Sequence, residues 1–270
     1  MRIAGRTAVI TGAGSGIGRG TALALARRGC HLALADIDEA GLAETKALAG
    51  EQEVRITTHR IDVADRAAVA AFPEAVLEAH SGAQMLFNNA GVAVGGSFEQ
   101  VAEADFEWLM NINFYGVVRM TRAFLPLLRA ADEARIVNIS SLFGLIAPPG
   151  QTAYAASKFA VRGFSEALRR ELEEEGTRIG VTTVHPGGVA TAIISNARVA
   201  PGLNGDEFEK RRAKMEKLLR MPPLKAGEII VTGVARGRAR VIVGNDAKFA
   251  ALIERVAPVG YWKLLGKGLK

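Results

Sequence analysis

The chain has 270 residues, 49% of them hydrophobic, which is enough for one large α/β domain, and no composition break divides it into two. Its 34 Lys and Arg against 28 Asp and Glu leave a formal charge of +6, but the basic residues are spread along the chain and never interleaved with aromatics. That argues against a nucleic-acid surface, and an anionic small molecule accounts for the charge as well.

Met1-Arg2-Ile3-Ala4-Gly5-Arg6 runs straight into a strand-like stretch, Thr7 to Thr11, without the apolar region and cleavage site of a signal peptide. A turn, Thr11-Gly12-Ala13-Gly14-Ser15-Gly16-Ile17-Gly18, follows and leads into a helix predicted over 16–28. Glycines let a backbone turn tightly and approach a pyrophosphate, while the next helix N-terminus presents free N–H groups and a positive dipole. The spacing is Thr-Gly-x-x-x-Gly-x-Gly rather than the usual Gly-x-Gly-x-x-Gly, but the strand before it and the helix after it supply the context of a dinucleotide site. A second strand, His31 to Ala35, ends at Asp36, eighteen residues beyond Gly18. A carboxylate there accepts from ribose hydroxyls and repels a 2′-phosphate, so NAD is favoured over NADP; Arg19, just past the glycines, either softens that preference or faces solvent. Cys30, the one cysteine, precedes this strand in an apolar run. It is expected to be buried and inert, and its solitude fits a reducing, cytoplasmic setting.

A helix over 39–49 and strands over 54–60, 85–88, 135–139, 181–185 and 240–244 continue the alternation, with helical patterns between them. Pro73, inside an expected helix over 66–80, should kink or restart it. The pattern predicts a single Rossmann-type doubly wound parallel sheet with helices on both faces, its ligands at the carboxyl ends of the strands. The whole of 1–270 reads as one dinucleotide-binding and catalytic domain. Residues 192–225 read as a substrate lid, because 198–225 carry eight Lys and Arg against four acids in a Gly- and Pro-bounded stretch. Residues 245–270 form a C-terminal tail that mixes apolar residues with Lys263, Lys267 and Lys270; it covers the pocket, packs on a neighbouring subunit, or touches an anionic membrane, packing being the blander choice. No uncharged apolar stretch reaches the ~18 residues of a membrane span.

Tyr154 and Lys158, in Thr152-Ala153-Tyr154-Ala155-Ala156-Ser157-Lys158, are four apart and so share a helix face. A cation there favours the ionised phenol and makes it a usable acid or base near neutral pH. His31, His59, His80 and His185 have no metal-ligand spacing and read as strand-end or surface histidines, so no metal is expected.

With Tyr154-x-x-x-Lys158 downstream of the glycine turn, residues 4 to 191 resemble the short-chain dehydrogenase/reductase family, through Asn88-Asn89-Ala90-Gly91, Asn113-Phe114-Tyr115-Gly116, Ile139-Ser140-Ser141 and Pro186-Gly187-Gly188-Val189-Ala190-Thr191. The resemblance implies that Tyr154 is the acid/base and that Ser141, thirteen residues earlier, hydrogen-bonds the substrate oxygen while Ser140 fixes the strand end. It implies that Lys158 holds the nicotinamide ribose and lowers the Tyr pKa. Asn113, rather than Asn111, would support a water chain to that Lys. For the cofactor it implies contacts at Gly12, Ser15, Gly16, Ile17, Gly18 and Asp36. It adds Asp62 and Val63 against the adenine, Asn89, Ala90 and Gly91 beside the ribose, and Pro186, Gly187, Val189 and Thr191 around the carboxamide and phosphate; Asn89 serves equally as a tie between strands. Gln84 replaces the family's frequent Asp before the fourth strand, a change that bears on packing.

The expected activity is interconversion of a secondary alcohol and a ketone with NAD, by a homodimer or homotetramer. Leu142, Phe143, Leu145, Ile146, Ala147, Pro148, Val92, Val94, Ile193 and Ile194 would place apolar groups near the reactive end, which suits a hydrophobic substrate, with a small ketone or sugar-derived polyol as the alternative. The alternatives are an NADPH-dependent carbonyl reductase and a non-catalytic NAD(H)-binding regulatory protein.

Overall fold

The computed structural model describes residues 1–50, 53–200, 213 and 216–266. Seven parallel strands form the central sheet: β1 (Thr7–Thr11), β2 (His31–Asp36), β3 (Ile56–Arg60), β4 (Met85–Asn88), β6 (Ala134–Ile139), β7 (Ile179–Pro186) and β9 (Arg240–Val243), in the order β3-β2-β1-β4-β6-β7-β9. The order reverses direction at β1, so β1 and β4 lie side by side and their carboxyl ends frame the crevice where ligands bind in such sheets. This is the doubly wound α/β fold expected from the alternation. A separate parallel pair, β5 (Val94–Gly95) with β8 (Arg198–Val199), sits apart from the sheet.

Helices cover both faces because the strands are apolar on both. On one face α1 (Gly16–Ala26), α2 (Glu39–Ala49) and α7 (Pro223–Ala235) bury Leu25, Leu42, Ile230 and Val234 against Ile10, Leu32 and Val184. On the other, α3 (Arg66–His80), α5 (Gly116–Ala130) and α6 (Thr152–Glu174) bury Phe72, Phe124 and Leu172 against Val9, Leu86 and Ile136. Two further helices, α8 (Asn245–Val256) and α9 (Tyr261–Leu265), close the described chain.

Pro73 does not restart its helix: α3 is one element from Arg66 to His80. Asp65 caps it by accepting from the amides of Ala67 and Ala68, and Val69, Phe72 and Val76 bury one face. These anchors on either side of Pro73 hold a helix that lacks one backbone donor. The seam that seats α6 is polar. Asn88 Nδ2 donates to Asn138 Oδ1 at 2.8 Å across the β4–β6 pair, and Asn138 Nδ2 donates to Ser165 Oγ of α6 at 2.9 Å. Buried side-chain amides favour partnered positions, and this chain of bonds ties α6 to the sheet. Cys30 is buried as expected, and its thiol is pushed up to about 12 by desolvation.

Candidate active site

The carboxyl ends of β1, β2, β4, β6 and β7 gather the sequence-predicted residues. Gly12 turns the chain out of β1 with a φ of +65°, which glycine adopts without strain. At Gly18, in the first turn of α1, a Cβ would lie 1.9 Å from the Gly12 carbonyl oxygen. Any side chain there would force the turn and the helix apart. Ser15 precedes α1 in an extended conformation with no side-chain cap, and the first turn of α1 carries no acid. Free amide donors and the helix dipole therefore face outward past Gly16 and Ile17, the arrangement that suits a pyrophosphate.

Asp36 closes β2, accepting from the Gly14 amide through Oδ2 at 2.8 Å and from the Asp38 amide through Oδ1 at 3.1 Å. Each carboxylate oxygen keeps accepting capacity for a ribose hydroxyl. Arg19 is partly exposed and already partnered. Its guanidinium folds inward onto the Gly14 carbonyl and Thr45 Oγ1, and pairs with Glu44 at 2.7 Å. Asp62 is exposed at the end of β3 and accepts from the Ala64 amide at 2.8 Å, with Val63 buried beside it. Asn89 is the inter-strand tie: its Nδ2 donates to the carbonyls of Thr11 and Gly12, both at 3.0 Å. Thr11 completes this junction, because its Oγ1 accepts from the amides of Asn89 and Ala90 at 3.0 and 3.1 Å. Gln84 makes a similar packing bond at the other end of β4, Oε1 accepting from the Thr7 amide at 2.8 Å.

Tyr154 and Lys158 lie on one face of α6, with the ammonium 5.6 Å from the centre of the phenol ring. Lys158 is 3% exposed and donates to the Ile139 carbonyl at 3.1 Å. Burial lowers its pKa to about 8. The same burial raises the Tyr154 phenol to about 12, with a hydrogen bond from Ser141 pulling the other way. In the protein alone burial therefore raises the phenol instead of lowering it, and Lys158 directs one of its protons to the Ile139 carbonyl. Ser140 donates to the Lys158 carbonyl at 2.9 Å, the strand-end role expected of it.

Asn113 is fully buried in a five-residue π-helical segment, Asn111–Tyr115, between α4 (Glu103–Met110) and α5. Its Oδ1 accepts from the Val92 amide at 2.8 Å, and its Nδ2 donates to the Val92 carbonyl at 2.9 Å and to Ser157 Oγ at 3.2 Å. Asn111 points elsewhere, accepting from Arg119 at 2.6 Å. Gly91 locates the cluster: a methyl group there would meet Asn113 Oδ1 at 3.2 Å and Lys158 Nζ at 3.4 Å.

The stretch after β7 is held by its backbone. Gly187 donates to Val243 at 2.8 Å, Gly188 to Asp246 Oδ2 at 2.7 Å and Ala190 to Met221 at 2.9 Å, while Val189 bridges Met221. Thr191 lies over Gly16, so the chain after Pro186 arches back to the glycine turn. The expected lid leaves from here. Its first part is pinned by β8, with Arg198 stacked 3.6 Å over the Trp108 ring and paired with Asp105 at 2.9 Å. Residues 201–212, 214 and 215 lie outside the described residues.

Three contributors were not anticipated. Ser157 donates to the Tyr154 carbonyl at 2.8 Å while accepting from Asn113; its place inside the Tyr-x-x-x-Lys segment was the available signal. His185 stands at the end of β7, as a strand-end histidine would, but is fully buried rather than at the surface, and its Nδ1 lies 3.0 Å from the Ser141 carbonyl. A carbonyl only accepts, so Nδ1 carries the proton. Burial first of all lowers the ring to a pKa of about 4, which keeps it neutral. Tyr261 in α9 accepts from the Ala147 amide at 2.9 Å, joining the tail to the turn that follows Ser141. Of the apolar residues expected at the reactive end, Val94, Leu145 and Ile146 are packed inside, leaving Val92, Leu142, Phe143, Pro148, Ile193 and Ile194 partly open. Phe143 meets the Tyr154 ring edge to face at 6.1 Å.

A doubly wound sheet with a glycine turn at its switch point and a Ser, Tyr, Lys and Asn cluster beside it defines the class of dinucleotide-dependent oxidoreductases. The family model described as short chain dehydrogenase matches residues 6–201, and the chain belongs to that family. It is 46% identical to a putative oxidoreductase, SadH, of Mycobacterium tuberculosis over 98% of this chain and 95% of that protein. Among solved structures, a short chain dehydrogenase/reductase from Burkholderia phymatum in complex with NAD superposes with a TM-score of 0.87 at 30% identity, covering 95% of each chain. Levodione reductase superposes with a TM-score of 0.79 at 26% identity, covering 91% of this chain and 98% of that one.

Proposed function

We propose that this oxidoreductase interconverts a secondary alcohol and a ketone with NAD(H), and that Ser141, Tyr154, Lys158 and Asn113 carry the proton chemistry. The observation that carries the reading is the Tyr154 phenol, hydrogen-bonded by Ser141 and with its ring centre 5.6 Å from the Lys158 ammonium, which lies beside Gly91 one strand from the glycine turn.

The donor set fits a nicotinamide dinucleotide. The amides past Gly16 suit the pyrophosphate, Asp36 the adenosine ribose, Asp62 and Val63 the adenine, Lys158 the other ribose, and the Pro186 to Thr191 arch the carboxamide end. Bound there, the nicotinamide accepts or gives the hydride. Asp36 supports NAD over NADP, since it would face a 2′-phosphate with like charge and Arg19 is already committed to Gly14 and Glu44.

In the oxidising direction Tyr154 takes the hydroxyl proton while Ser141 holds the substrate oxygen. The phenol begins at about 12, so the work lies in bringing it toward neutrality. A nearby positive charge and a Lys158 ammonium turned from the Ile139 carbonyl toward the phenol would both act in that direction. Lys158, at about 8, can pass its own proton onward, and Asn113 keeps Ser157 and Val92 in place around that exit. In the reducing direction the same groups donate. Phe143, Leu142, Val92, Ile193 and Ile194 support a hydrophobic substrate.

The test mixes purified protein with NAD⁺ and a panel of secondary alcohols and follows NADH absorbance. Tyr154→Phe should lower kcat by about 10² to 10⁴ with NADH binding retained, as expected for loss of a positioned acid/base. A variant with near-native turnover would sink the assignment. Comparing NADH with NADPH affinity tests the cofactor, and a preference for NADPH would overturn the role given to Asp36.

A further inference from the structure

Helix α8 has one face inside and one face outside. Ala247 and Ala250 are buried against the body of the protein, whereas Phe249 is 61%, Leu252 60% and Val256 77% exposed. These three fall at i, i+3 and i+7, so they line a single stripe of the helix. Val259, 94% exposed, and Leu264, 62% exposed, extend the apolar surface through the turn into α9. Lys248 and Arg255, also seven apart and exposed, run along one edge of the stripe, and exposed Lys263 lies beyond it. The acids of this stretch are Asp246, engaged by the Gly188 amide, and half-buried Glu254. The sequence that follows adds Lys267 and Lys270 and no acid.

We propose that this apolar stripe with its basic edge is a docking surface for an anionic lipid bilayer, lying in the headgroup plane with Phe249, Leu252, Val256 and Val259 dipped toward the acyl chains. An apolar face flanked by Lys and Arg is the pattern of an interfacial helix, in which burial and attraction to anionic headgroups act together. A second copy of the chain is the less suitable occupant. Paired antiparallel across a two-fold axis, two copies of the stripe would set their Lys248 and Arg255 edges side by side, with like charges opposing contact. Tyr261 Oη, bonded to the Ala147 amide, makes the same tail one wall of the turn beside Ser141. A membrane-seated tail would thus open the substrate side of the protein toward lipid.

The experiment is co-sedimentation of the full chain with vesicles of phosphatidylcholine alone and of phosphatidylcholine mixed with phosphatidylglycerol, and it needs no turnover. The wild type should pellet with the mixed vesicles and not with neutral ones, the binding falling as salt rises. Phe249→Glu combined with Leu252→Glu should weaken it about tenfold or more, and Lys248→Ala or Arg255→Ala roughly fivefold each. Val259→Glu alters a residue with almost no protein contact, so it reports on docking even where the double variant misfolds; it too should weaken binding. Wild-type protein that stays in the supernatant with both lipids, or Val259→Glu binding as tightly as wild type, would overturn the proposal. So would a concentration-dependent self-association in sedimentation velocity that Val259→Glu abolishes, which would assign the stripe to a second copy.

Discussion

At the glycine turn, the holding contacts join strand ends that the sheet already sets side by side: Thr11 takes the amides of Asn89 and Ala90, Asn89 takes the carbonyls of Thr11 and Gly12, and Asp36 takes the Gly14 amide. Around the Ser141–Pro148 turn the contacts come from further afield. His185 of β7 reaches the Ser141 carbonyl, Arg162 of α6 reaches the Gly144 carbonyl at 3.4 Å, and Tyr261 reaches Ala147 across 114 residues. The dinucleotide end is built from backbone geometry that tolerates few side chains. The Ser141–Pro148 end is built from side chains that other sequences could replace, and in the proposed function it is the end that faces the substrate.

The first end breaks most sharply. Gly18→Ala places a Cβ against the Gly12 carbonyl and 2.6 Å from Asn89 Nδ2, so turn, helix and the β1–β4 tie must all shift. Overpacking of this kind costs about 1 to 3 kcal/mol, or roughly fivefold to 150-fold in NADH affinity, read by fluorescence titration. An unchanged affinity would mean that the turn does not meet the dinucleotide.

A smaller effect is expected where β7 meets the Ser141 turn. His185→Leu removes the donor to the Ser141 carbonyl and should lower kcat by about tenfold or more through misplacement of the Ser141 hydroxyl, with NADH affinity unchanged. His185→Asn offers an amide N–H near the position of Nδ1 and should recover most of the loss, which a purely space-filling role would not explain. The same ring gives a pH signature. Its pKa is about 4 in the fold against the usual 6.5, so the unfolded chain binds more protons between those values. Stability is full above pH 6.5 and falls as pH drops toward 4, by about 3 kcal/mol from this group. His80, lowered to about 4 chiefly by burial, adds a fall in the same window. His185→Asn should flatten the decline in thermal melts without abolishing it.

The contrast between the two ends also governs what the amino-acid order reveals. Glycine spacing, Asp36 and the Tyr-x-x-x-Lys step are local, and their consequences follow from sterics and periodicity, so the parallel sheet and the dinucleotide crevice were legible. His185 was not, because its role depends on β6 and β7 lying adjacent so that a ring on one strand meets the carbonyl ending the other. A helix face shows that Lys158 and Tyr154 are neighbours, but not that burial raises the phenol of the protein alone. The unbroken run of α3 through Pro73 was not legible for a related reason: the helix continues on packing and capping at its ends, which a local rule does not weigh.

The cofactor preference should respond more gently than the glycine turn. Asp36→Ala removes a charged acceptor from the crevice and frees the Gly14 and Asp38 amides, so NADH affinity should fall about tenfold. NADPH should gain little, because Arg19 remains bound to Gly14 and Glu44 and no cation moves into the space. A strong switch to NADPH would show that Arg19 releases its partners when the carboxylate is gone.

The smallest effect belongs to the farthest contact. Tyr261→Phe deletes only the hydroxyl that accepts from the Ala147 amide, and Ala147 is exposed, so water can take that amide without a buried group being stranded. The net value of such a bond is about 0.5 to 1.5 kcal/mol, which predicts a twofold to tenfold rise in KM for a bulky alcohol and almost none for a small one. The kcat should stay near wild type, since Ser141 is still held by His185 and by its own turn, in which Ser141 Oγ accepts from the Phe143 amide at 3.1 Å. A KM change equal for both alcohols would place the tail outside the pocket. A fall in kcat instead would show that the Ser141–Pro148 turn moves as one body, and that the substrate wall and the proton-transfer group are coupled through it.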